Sequence, residues 1–118
     1  MAKILVVEDD TLSLKSLSYF LQEEGYEVEQ ARDGSQALQK VDRSFDLVLS
    51  DIGMPVIDGL DLTQRMRRSL PAIPIILMTG CGTSDQPNTM ATRVGARYLL
   101  TKPLILDDLL RKIRTVLD

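Results

Sequence analysis

The chain has 118 residues, 44% hydrophobic and 26% charged, with a net charge of -3. That is enough for one domain with its own core and not for two, and the acidic balance offers no electrostatic footprint for nucleic acid. There is no histidine and only one cysteine, Cys81, which excludes Ser-His-Asp and Cys-His catalysis, His-ligated metals, an internal disulfide and a phosphohistidine on this chain.

Lys3 to Val7 is a continuous apolar, β-branched run, the pattern of a strand buried on both faces. It ends in Glu8-Asp9-Asp10. Thr11 to Glu24 carries Leu14, Leu17, Phe20 and Leu21 at helical spacing, and Gly25 supplies the stop. Tyr26 to Ala31 reads as a strand near an edge. Asp33-Gly34 is a turn, and Ser35 to Val41 is a short helix with Ala37, Leu38 and Val41 inward. Phe45 to Leu49 is a third strand, ending in Ser50 and Asp51. Leu60 to Ser69 is a helix with Leu62 and Met66 facing in and Arg65, Arg67 and Arg68 towards water. Ile75 to Met78 is a fourth strand, closed by Thr79-Gly80. Residues 81 to 88 read as a loop, 88 to 94 as a short fourth helix, and Arg97 to Leu100 as the fifth strand, ending in Thr101-Lys102-Pro103. Asp107 or Asp108 is expected to cap a fifth helix through Leu117, with Leu109, Leu110 and Ile113 inward. Five strand–helix units in one domain, residues 1–118, predict a doubly wound α/β fold: a parallel sheet with helices on both faces. No apolar run reaches membrane-spanning length and the N-terminus is a strand pattern, so a cytoplasmic protein is expected.

In such a sheet every strand end falls on one edge, where ligands bind. That edge receives Glu8 and Asp9 from strand 1, Asp51 from strand 3, the Thr79 hydroxyl from strand 4 and the Lys102 ammonium from strand 5. Three carboxylates close together need a counter-charge, and their surplus over one lysine points to a hard divalent cation with oxygen ligands, Mg²⁺ being the usual candidate. A purely structural network of Lys102 with Asp9 and Asp51 is the plain alternative. The chemistry these groups allow is attack of Asp51 on phosphorus, with Lys102 and Thr79 on the remaining oxygens and Gly80 leaving room for the phosphoryl group.

Asp51-x-x-Met54-Pro55-x-x-Asp58-Gly59, Glu8-Asp9, Thr79, Gly95-Ala96 and Lys102-Pro103 stand in one order and spacing. On these motifs the whole chain resembles a receiver domain of the bacterial two-component response regulators. The resemblance implies a flavodoxin-like fold with strand order 2-1-3-4-5. It implies phosphorylation of Asp51 by a sensor histidine kinase or a His-phosphotransfer protein, and Mg²⁺ held by Glu8, Asp9, Asp51 and the carbonyl of Gly53. It implies a cis peptide before Pro103, and a switch that alters the helix 4–strand 5–helix 5 face towards an output domain or effector. Such a protein catalyses only its own phosphorylation and dephosphorylation. No direct nucleic-acid or membrane contact is expected, and the helix 4–helix 5 face offers a route to a homodimer. The chain departs from the pattern at Leu99, where an aromatic switch residue is usual, at Leu104, where Phe is common, and in a longer 80–95 segment containing Pro87. All three departures lie on the output side.

Two other classes compete. An aspartyl phosphatase needs Asp-x-Asp-x-Thr after strand 1, which Glu8-Asp9-Asp10-Thr11 does not provide. A receiver-like scaffold that acts without phosphorylation would be expected to have lost an acidic residue, the acceptor or the lysine, and all are present. Gly80-Cys81-Gly82 resembles a fragment of a dinucleotide fingerprint, but position 85 is Asp and nearby carboxylates would repel a pyrophosphate.

Overall fold

Five strands, β1 (Lys3–Val7), β2 (Glu27–Ala31), β3 (Leu47–Asp51), β4 (Ile75–Thr79) and β5 (Tyr98–Thr101), pair in parallel in the order β2-β1-β3-β4-β5. The structure is a computed structural model in which residues 1–80, 93 and 95–118 are described. Cys81, Pro87 and, apart from residue 93, the helix expected at 88–94 lie outside the described residues. Helices α1 (Thr11–Glu23), α2 (Gly34–Lys40), α3 (Gly59–Ser69) and α4 (Leu106–Leu117) complete the described elements, α4 being the fifth helix of the sequence reading.

Side chains alternate across each strand, and the apolar sequence divides accordingly into two cores. Ile4, Val6, Leu47, Leu49, Ile76 and Met78 face α1 and α4 and pack against Leu14, Leu17, Leu21, Leu109, Leu110 and Ile113. Leu5, Val7, Val48, Ile75 and Leu77 face the other way, against Ala37 of α2 and Leu62 and Met66 of α3. The three central strands are covered on both sides, which is why their sequences are unbroken apolar runs. Each fully buried Leu or Ile contributes roughly 2 kcal/mol of transfer free energy.

The helices that leave the carboxyl edge start in the same way. Asp10, Asp33 and Asp58 each accept a hydrogen bond from a backbone N–H three residues on, those of Ser13, Gln36 and Asp61. This satisfies one of the free donors of the first turn. Gly25, with φ of +96°, closes α1, a conformation that disfavours any side chain. The last helix differs from expectation. Its cap position is Ile105, which has no side-chain hydrogen bond, while Asp107 and Asp108 lie inside the first turn. There they favour the positive helix end, and Asp108 pairs instead with Lys112 one turn on, at 3.0 Å. Strand β3 also begins two residues later than the apolar run suggests: Phe45 is buried in the core without joining the sheet.

Candidate functional site

Strand parity assembles the site. Ile4 and Val6 point towards α1 and α4, so the next residue of that parity, Glu8, does too. The same counting carries Leu47 and Leu49 to Asp51, and Leu100 to Lys102. These three side chains meet: the Lys102 ammonium lies 2.7 Å from Glu8 Oε2 and 3.3 Å from Asp51 Oδ2. Asp9 and Thr79 have the opposite parity. The lysine is set by the β5 end, where its N–H donates to the Thr79 carbonyl and the Lys102–Pro103 peptide is cis. The structural network foreseen from sequence joined Lys102 to Asp9 and Asp51. The observed acidic partners are Glu8 and Asp51; Asp9 is exposed, with a carboxylate oxygen within 4.8 Å of theirs.

Glu8 is 2% exposed and Asp51 8%, whereas Asp9 is exposed. One ligand oxygen from each of Glu8, Asp9 and Asp51 can be chosen so that all lie within 4.8 Å of one another. Burial acts to lower the Lys102 pKa, but the hydrogen bond from its ammonium to Glu8 and the charges of Asp51 and Glu8 outweigh it and raise the value above 10.5. Lys102 therefore stays charged at neutral pH, and three carboxylates still face one ammonium. An all-oxygen set with surplus negative charge fits a hard divalent ion such as Mg²⁺. Gly53 sits exposed two residues past Asp51, in the loop where the resemblance asks for a carbonyl ligand.

The acceptor loop, residues 52–58, is held by backbone and by two glycines. Ile52 N–H donates to the Met78 carbonyl and Gly59 N–H to the Ile52 carbonyl. A Cβ at Gly59 would lie 2.4 Å from the Asp51 carbonyl oxygen, and one at Gly34 would lie 2.5 Å from the Ile57 carbonyl oxygen. Sequence reasoning took both Asp-Gly pairs as turn signals and missed this role, since only the fold brings Gly34 and Gly59 against the loop. It also missed Val56, which is 96% exposed at φ of +67°, an unfavourable region for a β-branched residue.

Thr79 ends β4 and is buried, one residue beyond Met78, the register partner of Asp51. Among the described residues, no atom lies within 4 Å of where a Cβ on Gly80 beside it would stand. Leu99 packs partly buried on the α2–α3 core, and Tyr98 on the α1–α4 core with the Lys112 ammonium 5.4 Å from its ring centre. The aromatic side chain is therefore on the wrong face to replace Leu99, as parity requires. Leu104 is half-buried against the α1–α4 core, while Ile105 and Leu106 are exposed.

Comparison with known proteins gives one consistent result. Residues 4–114 match the family model described as response regulator receiver domain. The transcriptional regulatory protein CpxR of Escherichia coli K12 is 37% identical over 117 residues, which cover 99% of this chain and 50% of that protein. The chain thus spans about half the length of this curated relative. A CheY-like receiver domain protein from Methanospirillum hungatei superposes with a TM-score of 0.92 at 35% identity, covering 100% of this chain and 94% of the other. The response regulator TrrA of Thermotoga maritima, in complex with Mg²⁺-BeF, superposes with a TM-score of 0.86 at 33% identity, covering 98% and 99%.

Proposed function

This chain belongs to the response regulator receiver domain family, and from that premise we propose that Asp51 accepts a phosphoryl group from the phosphohistidine of a partner kinase or phosphotransfer protein. The observation that carries the reading is the meeting of buried Glu8 and Asp51 with Lys102 at one sheet edge, beside exposed Asp9. An Asp51 carboxylate oxygen attacks phosphorus, the P–N bond to the donor imidazole breaks, and its electron pair returns to the imidazole nitrogen. Lys102 supplies a charged donor to the transferring oxygens, and the Thr79 hydroxyl a neutral one. Mg²⁺, when bound by Glu8, Asp9, Asp51 and the Gly53 carbonyl, supplies positive charge that offsets repulsion between carboxylate and phosphoryl oxygens. The neighbour from Thermotoga maritima, solved with Mg²⁺-BeF, supports that ion.

Acetyl phosphate tests the reading without a kinase. With Mg²⁺, the intact mass should rise by one phosphoryl group, and the D51N variant should show no rise. An unmodified wild-type protein would leave only the phosphorylation-independent scaffold, which no observation here favours.

The protein turns over nothing beyond its own phosphoryl group. It works in the cytoplasm and passes its state to an output domain or effector protein without itself touching nucleic acid or membrane. A second copy meeting the α4 side is the dimer this reading allows. The added charge at Asp51 draws Thr79 inward and shifts the population of the face built on β5 and α4, beside Leu104. With Leu99 in the aromatic's place, ring rotation contributes nothing, so coupling is weak. The L99Y variant is expected to enlarge the phosphorylation-dependent change in hydrogen exchange across β5 and α4; an unchanged difference would remove the idea.

A further inference from the structure

Beneath the Glu8–Lys102 pair, between α1 and the segment after β5, lies a cavity of about 240 Å³. Its walls are apolar, made by Leu17, Met78 and Leu104, and its polar end carries Glu8, Lys102 and Ser13. Leu17 and Met78 belong to the α1–α4 core. The cavity therefore lies on the α1–α4 side of the sheet.

We propose that this cavity binds a small neutral molecule carrying one hydroxyl on an apolar ring. Size sets the first limit. An apolar protein cavity of about 150 Å³ takes up benzene, so this space holds one six-membered ring with a substituent. Charge sets the second. The charged groups of the lining, Glu8 and Lys102, are paired with each other at 2.7 Å, so the cavity suits a neutral guest. Hydrogen bonding sets the third. Glu8 accepts from Lys102 through Oε2 and from the Asp10 N–H through Oε1, at 2.7 and 3.2 Å, and each oxygen can accept once more. Lys102 uses two of its three N–H groups, on Glu8 and Asp51. One ligand hydroxyl can thus donate to Glu8 and accept from Lys102, while the ring lies on Leu17, Met78 and Leu104. The inference stands on the cavity and does not need Asp51 to be phosphorylated.

Phenol is the probe, titrated into the protein without acetyl phosphate and followed by methyl NMR. Saturable binding with a Kd on the order of 1 mM is expected for a ligand of this size. Contacts from the ring protons to the methyl groups of Leu17, Met78 and Leu104 should appear. Toluene, which lacks the hydroxyl, should bind at least about fivefold more weakly, the worth of one hydrogen bond. L104F, which fills the apolar end, should weaken phenol at least about tenfold. Shifts that never saturate, or saturation without those three methyl contacts, would overturn the proposal in the wild-type protein alone. Equal affinity for toluene, or an L104F variant that folds and binds phenol unchanged, would overturn it as well.

Discussion

Gly59→Ala is expected to lose about 3 kcal/mol of stability, and most of the phosphoryl-accepting activity of whatever still folds. The added methyl would stand 2.4 Å from the Asp51 carbonyl oxygen and 2.8 Å from the Ile52 Cα. These are backbone atoms of the central strand's end, and neither can turn aside as a long side chain would. Overpacking a well-filled site typically costs 1–3 kcal/mol, and backbone obstacles put this substitution at the upper end. The loop would have to move, carrying Asp51 away from Lys102. Urea unfolding and acetyl phosphate labelling measure the two effects separately. A stability within about 0.5 kcal/mol of wild type would show that α3 can tilt to admit the methyl. Replacing Gly53 by Ala makes the control for the stability measurement: among the described residues a Cβ there meets nothing within 4 Å.

Lys102→Met should cost about 2 kcal/mol without divalent cation. It removes the ammonium that accompanies two carboxylates, 2% and 11% exposed at their side chains. Breaking a fully buried pair costs 3–5 kcal/mol, and the 28% exposure of Lys102 argues for the discounted figure. Because its folded pKa is raised, the lysine's contribution is fully present below its ordinary value of 10.5 and is lost as the pH climbs through the raised value. The gap between wild type and variant should thus stay constant from neutral pH to about 10 and close only in stronger alkali. Added Mg²⁺ should narrow the gap, since a divalent ion among Glu8, Asp9 and Asp51 takes over the charge balance. A gap that narrowed at neutral pH would mean the ammonium is already lost there, against the geometry.

Much of this was legible in the sequence because two signals agree. Continuous apolar runs ending in Glu8, Asp51, Thr79 and Lys102 announce both the parallel sheet and the edge at which chemistry collects. Strand parity, which is countable in the sequence, also explains why Tyr98 cannot serve for Leu99. The choice of partner for Lys102 could have been read by the same counting, since Glu8 shares its parity and Asp9 does not. The helix cap failed for a different reason. Asp107 and Asp108 have the right chemistry for a cap, but Lys112 and the positive helix end give Asp108 a competing use inside the first turn. The pressure of Gly59 and Gly34 on the acceptor loop had no local signal, because the atoms they would strike come from other segments.

The strand order also distributes robustness within the site. The acids grow from β1 and β3, each paired on both sides, but the ammonium grows from β5, a four-residue strand with one neighbour among the described strands. Rim strands open at lower free energy than the middle of a sheet. Brief native-state openings would therefore take the cation away while the carboxylates stay put, so the charge balance at Asp51 follows the fraying of one short strand and not the global unfolding of the domain.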